Sequence, residues 1–329
     1  MKEEKQIKIP VVTKIRRFMN NYAILYAILI LGIILSITTP NFLTVTNLVN
    51  VLRQNSMVVI IAIGEFFVLV SGSLDISTGS LVALVSILFG KMMTDLSISP
   101  VVAVILSILL GMTVGLINGL IITKLRIPAM IATLAMQYVC TGAVYLISGG
   151  YAVSGLPGSI SFLGKGNLFG FQWMPWPVFI MLIIAVIATF ISKKTVYGRS
   201  LYAIGGNVEA AYLSGIKDKK CLTLAHVICG GLAAVSSIVL TCRLASGQVN
   251  AGSGWEFEAI IGAIIGGVSI TGGRGKVFGA VLGTFMVGLL VNGMTLNNID
   301  SNVQKIVKGL VLIFAIAFDI YAISKKNKK

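Results

Sequence analysis

The sequence predicts an all-α membrane protein with about ten transmembrane helices. Hydrophobic residues make up 56% of the 329-residue chain and charged residues only 11%, and the mean hydropathy is +0.96. A soluble protein carries roughly 25% charged residues, because its surface must be covered with polar groups. Apolar runs of roughly 20 residues recur along the chain, and this length crosses about 30 Å of hydrocarbon.

The candidate spans are separated mostly by proline or glycine. Pro40, Pro100, Pro128, Pro175 and Gly247 stand at or near the joints, where these residue types interrupt regular structure. The spans are expected near residues 22–39, 55–71, 77–94, 100–123, 128–148, 176–192, 221–243, 257–271, 276–296 and 303–323.

The net charge of +15 follows the pattern of a membrane protein, because basic residues cluster in short segments between apolar runs and at the termini. If the N-terminus lies in the cytoplasm, twenty Lys and Arg residues fall inside and six outside. Positive residues favour the cytoplasmic side, so both termini are expected there. No basic stripe with interleaved aromatic residues indicates nucleic-acid binding.

Three regions follow from this topology. We expect a cytoplasmic segment at residues 1–21, a transmembrane region at 22–323 and a basic cytoplasmic tail at 324–329. The longest internal hydrophilic segment, 193–220, lies within the transmembrane region and on the cytoplasmic side. No small-residue cleavage site follows the first apolar run, which favours a retained span over a removed signal peptide.

The four cysteines form no CxxC pair and lie in or beside apolar segments. Cys221, His226 and Cys229 could be imagined as metal ligands, but we interpret the cysteines as small residues packed inside membrane helices. His226 is the only histidine. No Ser/His/Asp set or metal cluster in the sequence indicates a membrane-bound enzyme.

Two polar, glycine-rich stretches interrupt the apolar pattern. SGSLDISTGS (71–80) separates the second and third spans, and GGVSITGGRG (266–275) separates the eighth and ninth. Irregular backbone at membrane depth is tolerated only where protein or water covers it. Short spans interrupted by glycine at corresponding places therefore indicate a transport pathway.

The candidate pathway residues lie in or near these interruptions: Ser71, Asp75, Ser77, Glu65 and Trp255. Asp75 and Ser77 have an alternative role as caps of the third span at the cytoplasmic surface, since Asp and Ser are good N-cap residues. Glu65 lies in the middle of a span, where an ionisable residue is a functional hypothesis, although it could also serve in packing against another helix.

A short helix is predicted inside segment 193–220. Asn207 can cap it, the helix can run to about Ser214, and Gly215 stands where a left-handed C-cap is wanted. One face would carry Val208, Ala211 and Tyr212. Two helical turns are not stable alone, so we expect this helix to be ordered by packing on its own protein or on a partner.

Taken together, five motifs in order resemble the membrane permeases of ribose/galactose/arabinose-type ABC importers. They span about residues 22–320. The motifs are SGSLDISTGS, GLINGLIITKLRIPAMIATL (115–134), YGRSLYAIGGNVEAAYLSGI (197–216), GQVNAGSGWEFEAIIGAIIGGVSITGGRGKVFGAVLG (247–283) and NNIDSNVQKIVKGLVLIFAIAFD (297–319).

The resemblance implies an ABC importer permease fold in the bacterial plasma membrane, and a channel formed with a second permease, identical or a paralogue. It implies two cytoplasmic ATPases that bind the ATP, an external solute-binding protein, a sugar-like solute and no cofactor in the chain itself. Asp75 and Ser77 would contact hydroxylated solute, whereas no role is implied for Glu65 or Trp255. ATPase closure would reach the spans through Gly205, Asn207, Glu209, Ala210, Leu213 and Gly215.

An alternative from another class is a self-contained secondary carrier. In that case Glu65 or Asp75 would couple solute movement to protons or sodium, as carboxylates inside membranes do in such carriers. Transport by the isolated chain under an ion gradient would favour this alternative.

Overall fold

The computed structural model describes residues 11–327, with side-chain environments for 24–321 and 325. This part of the chain contains thirteen α-helices. Outside these helices, the described residues form two isolated bridges and two 3-10 turns but no strand. The helices are α1 (Val11–Thr38), α2 (Val45–Val70), α3 (Thr78–Thr94), α4 (Pro100–Lys124), α5 (Ala129–Ser148), α6 (Phe162–Lys165), α7 (Trp176–Lys194), α8 (Val196–Gly206), α9 (Val208–Leu213), α10 (Asp218–Leu244), α11 (Trp255–Ile265), α12 (Val277–Leu296) and α13 (Ser301–Asn327).

Every predicted span coincides with a helix, and the all-α membrane class is confirmed. Six helices are long and apolar enough to cross a membrane: α2, α4, α5, α7, α10 and α12. Shorter apolar helices cover 24–38 within α1 and the whole of α3. The remaining two predicted spans coincide with α11 and α13.

The boundaries differ from the prediction at several helices. The eighth span was expected to continue to residue 271, but this is wrong, because α11 ends at Ile265 and Gly267 then takes a positive φ of 87°. Helix α2 begins at Val45, ten residues before the predicted start, and Thr44 caps it by accepting from the amide of Asn47. Helices α1 and α13 also extend beyond their predicted spans, while residues 1–10 and 328–329 lie outside the described residues.

Helices α2 and α10 form the centre of the bundle. Their most apolar windows are 83% and 61% buried, whereas those of α4, α5 and α7 are each 28% buried. A helix that is apolar and buried all round belongs inside a bundle, while one-sided burial suits a helix that faces lipid. Helix α10 packs mainly on α4 and also on α2 and α3.

A row of small residues lets α4 and α10 approach closely. Gly111, Gly115 and Gly119 recur every four residues and therefore share one face of α4. A Cβ at Gly111 would overlap the carbonyl of Gly230, and one at Gly115 would overlap the carbonyl of His226. This is the small-residue contact by which membrane helices pack tightly, and it brings His226 close to α4.

The loop from α10 to α11 runs along α3. Gly247 pairs through its backbone with Val153 and packs on Ser86, and Gly252 packs against Gly79 at the start of α3. The loop therefore follows α3 from its middle back to its first turn. As a result, α11 begins beside the N-terminus of α3.

Candidate functional site at two helix breaks

The first break comprises residues 71–77, which join α2 to α3 without regular helix. Its Asp75 contacts Asn118 of α4 and His226 of α10. Asn118 lies six residues before the end of α4, and His226 lies eight residues after the start of α10. At 1.5 Å per residue, these positions are about 9 Å and about 12 Å from the helix ends. The break therefore lies inside the bundle.

The Asp75 carboxylate is held by four donors. Its Oδ1 accepts from the backbone N–H of Ser77 at 3.0 Å and from the Ser77 hydroxyl at 2.6 Å. Its Oδ2 lies 3.0 Å from Nδ1 of His226 and 3.2 Å from Nδ2 of Asn118. Since a carboxylate only accepts hydrogen bonds, this geometry assigns the shared proton to Nδ1 of His226. A buried charge persists only when it is paired and hydrogen-bonded in this way.

His226 also reaches the first break through its second ring nitrogen, since Nε2 is 2.9 Å from the hydroxyl of Ser73. Ser73, His226 and Asp75 thus form a hydrogen-bonded set that the sequence pattern did not reveal. Ser73 is 5% exposed, His226 0% and Asp75 1%. The set is sealed from solvent in the present conformation and holds the break against α10.

The alternative role as a cap of α3 is wrong for Ser77, whereas Asp75 accepts from the amide of Ser77 at the start of this helix. Ser77 occupies the N-cap position of α3, but its side chain makes no capping bond. Both residues are 1% exposed, so neither lies at a surface. Their hydroxyl and carboxylate are used inside the polar network.

The other pathway candidates are spread around this network. Glu65 of α2 is fully buried, and its Oε1 accepts at 3.4 Å from Thr78 and at 3.7 Å from the thiol of Cys229. Its Oε2 has no hydrogen-bond partner. Ser71 is buried and donates to a carbonyl one turn back, whereas Trp255 is partly buried at the start of α11. Their part in solute passage stays a prediction.

The second break comprises residues 266–276 between α11 and α12. Four of its glycines take a positive φ, which side chains other than glycine rarely adopt: Gly267, Gly272, Gly273 and Gly275. One carboxylate oxygen of Asp319 accepts from the Ser269 hydroxyl at 3.0 Å and from the Ile270 amide at 3.1 Å. This ties the second break to α13.

The two breaks meet at the C-terminal end of α8. Gly273 of the second break donates from its backbone to the Val70 carbonyl at the end of α2, at 2.9 Å. A Cβ on Gly205 would overlap both of these groups, and one on Gly272 would lie 2.8 Å from the Cα of Gly205 and from the amide of Gly72. We call Gly72, Gly205, Gly272 and Gly273 the glycine junction. It brings three backbone segments together with no side chain between them.

Helices α8 and α9 continue from this junction. The Tyr202 hydroxyl of α8 donates to the carbonyl of Gly275 at 2.9 Å, and burial raises the pKa of Tyr202, which keeps it a donor. Asn207 caps α9 by accepting from the Ala210 amide at 2.9 Å, and Gly215 takes a φ of 82°. The helix, its cap and its left-handed end are therefore confirmed as predicted.

Most of the surface of α9 is exposed. Ala211 is 4% exposed and packs on the protein, while Val208, Tyr212 and Leu213 are 51%, 67% and 80% exposed. The predicted apolar face is thus only partly used within this chain. The apolar side chains at the tip of α9 are therefore left uncovered by the described part of this chain.

The four cysteines are free thiols, and Cys140, Cys229 and Cys242 are buried within helices. His226, considered above as a metal ligand with Cys221 and Cys229, bonds to Asp75. Among the side chains that the structure describes, no group of three His, Cys, Asp or Glu residues is arranged to hold a metal ion.

A polytopic helical bundle with two helix breaks and an exposed helix between spans is the architecture expected of a membrane permease. Residues 47–316 match the family described as branched-chain amino acid transport system / permease component, and the chain belongs to that family. It is 38% identical to the ribose import permease protein RbsC of Bacillus subtilis (strain 168), over 88% of this chain and 89% of that protein. It is 36% identical to the L-arabinose transport system permease protein AraH of Escherichia coli (strain K12), over 93% and 92% of the two chains.

The same chain is 33% identical to the probable ABC transporter permease protein YphD of Escherichia coli (strain K12), over 95% of this chain and 93% of that protein. No solved structure matches the chain. The resemblance drawn from the five motifs is confirmed, and the chain is the membrane permease component of an ABC importer. The alternative of a self-contained ion-coupled carrier is not supported, because these relatives are ABC permeases.

Proposed function

We propose that this chain translocates a sugar or sugar-like solute across the bacterial plasma membrane. The similarity to ribose and arabinose permeases over nearly the whole chain supports this solute class. The chain would form the pathway with a second permease and receive solute from an external binding protein. It would use ten spans, with both termini in the cytoplasm, as the distribution of twenty basic residues inside and six outside favours.

The energy would come from ATP hydrolysed by two partner ATPases, and the chain itself would bind no cofactor. The observation that carries this part of the proposal is the exposed apolar tip of α9, with Tyr212 and Leu213 largely uncovered. A six-residue helix is too short to be stable alone. Docking into a groove on an ATPase would bury this tip and hold α9 in place.

The route from α9 into the membrane would pass through the glycine junction. Asn207 directly follows α8, and Gly205 touches both breaks through its backbone. Closely packed atoms transmit displacement because they cannot be compressed. A shift of α9 would therefore move both breaks together, and the spans would alternate between inward-open and outward-open states.

The coupling contact can be tested with Ala210→Glu. Ala210 is exposed on α9, so a longer charged side chain would obstruct docking without disturbing the bundle. Gly215 is a poorer choice, because its φ of 82° makes any side chain there strained. The control is Ala203→Glu, which places the same side chain at an exposed site on α8.

We expect Ala210→Glu to abolish co-purification of the partner ATPase and to abolish ATP-driven uptake. Ala203→Glu should retain the ATPase. Equal recovery of ATPase with both variants would contradict the coupling role of α9.

A further inference from the structure

A polar cavity lies where α3 and α11 begin. It has a volume of about 110 Å³ and is bordered by the first turns of α3, the middle of α5 and the loop before α11. The polar part of its lining includes Ser80, Gln137, Thr141, Asn250, Ser253 and Glu256, and Ala83, Val144, Val249 and Ala251 contribute apolar surface. It is separate from the Asp75 network, since none of that network's side chains borders it.

Glu256 is the exceptional group in this lining. The residue is 4% exposed, and its Oε2 has no hydrogen-bond partner. It lies in the first turn of α11, where the helix dipole stabilises a negative charge. Its Oε2 also lies so close to Gly79 that a Cβ there would overlap it. Since an unpartnered buried carboxylate oxygen costs free energy, its retention beside a polar cavity indicates a ligand.

We propose that this cavity is a solute subsite in which Glu256 accepts hydrogen bonds from the hydroxyl groups of a polyhydroxylated solute. This inference rests on the proposed function and identifies where the solute is held. The amide groups of Gln137 and Asn250 supply further donors and acceptors, and the Thr141 hydroxyl, which donates to the backbone carbonyl of Gln137 at 2.8 Å, supplies an acceptor. The cavity is smaller than the roughly 300 Å³ of a site that encloses a small ligand, so it holds one edge of the solute.

The composition of the cavity favours a sugar over a free amino acid. None of its lining residues is Lys or Arg, so no basic side chain there pairs with the carboxylate of an amino acid. A carboxylate acceptor among neutral polar and apolar side chains suits hydroxyl groups instead. Exposed Thr141 and Tyr145 on α5 leave the cavity open on that side.

The test uses the full-length chain in lipid nanodiscs, titrated with D-ribose while tryptophan fluorescence is recorded. Trp255 directly precedes Glu256 and serves as the reporter. We expect a saturable response. Glu256→Gln should weaken it about tenfold or more, because a hydrogen bond to a charged group is lost. Thr141→Val should weaken it about threefold, because a neutral hydrogen bond is worth less.

The matched control is Asp95→Asn, the same carboxyl-to-amide change at an exposed site beyond the other end of α3. It should leave the response unchanged. Thr141 is exposed on α5, so Thr141→Val is expected to fold. If Glu256→Gln does not yield folded protein, the binding measurement with Thr141→Val tests the inference. The inference is overturned if the wild type gives no saturable response to D-ribose, if Glu256→Gln and Thr141→Val bind like the wild type, or if L-leucine binds in place of D-ribose.

Uptake by the assembled importer separates this inference from the proposed function. If the importer with Glu256→Gln takes up D-ribose at the wild-type rate, the proposed subsite is refuted. The proposed function as a sugar importer still stands in that case. If the wild-type importer takes up no sugar when its ATPase and binding protein are present, the proposed function is refuted as well.

Discussion

The two breaks in this chain are held in place by different kinds of interaction, the first by side chains and the second mainly by its backbone. The first is fixed by buried side chains, with Asp75 bonded to Ser77, Asn118 and His226. The second is shaped mainly by its backbone, through glycines with positive φ, and is tied to α13 by Asp319. Each break lies between a longer and a shorter helix, α2 and α3 for the first and α12 and α11 for the second, yet only the first brings a carboxylate and an imidazole together.

This difference predicts how each break responds to change. A network of buried polar side chains has few alternative arrangements, so loss of one member leaves others without partners. A glycine backbone is limited by space, so it tolerates loss of a polar contact but not an added side chain. The first break should therefore be sensitive to the loss of a polar group, and the second to an increase in side-chain volume.

The largest expected effect comes from removing the imidazole. His226→Leu leaves the Asp75 carboxylate buried without its partner, and the free energy of unfolding should fall by about 3–5 kcal/mol. Denaturation of the purified protein in mixed micelles measures this. Leu224→Ala on the same helix is the control, since Leu224 is 44% exposed and contributes less packing. Similar losses for both variants would show that the network does not hold the first break.

An intermediate effect is expected from Asp75→Asn. The amide keeps the shape and one acceptor, and His226 can change tautomer to accept from it, so the loss should be about 2 kcal/mol. The protein should still assemble with its ATPase, but uptake should fall because the network no longer fixes the break. Normal uptake would exclude a role for the Asp75 charge in transport.

The smallest effect is expected at the second break. Ser269→Ala removes one hydroxyl donor to Asp319, while the Ile270 amide still bonds the same oxygen. The free energy of unfolding should fall by about 1 kcal/mol, with uptake near the wild-type rate. A loss as large as that of His226→Leu would mean that the second break also depends on its side chains.

Hydropathy was sufficient to predict the helices that overlap the ten spans, because an apolar run inside a membrane must form hydrogen bonds within itself, but it did not predict α6 or α8. It failed at residues 266–271, where a hydrophobic Val and Ile suggested a longer span than the glycines allow. It also failed at 45–54, where polar residues such as Arg53 continue α2 beyond its apolar part.

The cap at Asn207 and the turn at Gly215 were predicted, because both depend on local backbone chemistry. The partners of Asp75 were not, since His226 lies 151 residues away and only packing brings them together. The regular spacing of Gly111, Gly115 and Gly119 was the available signal for that packing. The glycine junction left no comparable signal, because it joins backbone atoms from three distant segments.

The central claim is that α9 moves both breaks through Gly205, and two neighbouring glycines test it directly. A Cβ at Gly205 would overlap the Val70 carbonyl, whereas a Cβ at Gly206 meets no atom within 4 Å. The measurement is ATP-driven solute uptake into proteoliposomes that contain the importer with Gly205→Ala or Gly206→Ala, each with its bound ATPase quantified. We predict that Gly205→Ala keeps the ATPase and reduces uptake to about a tenth or less, while Gly206→Ala behaves as wild type. Equal uptake by the two variants would contradict the account.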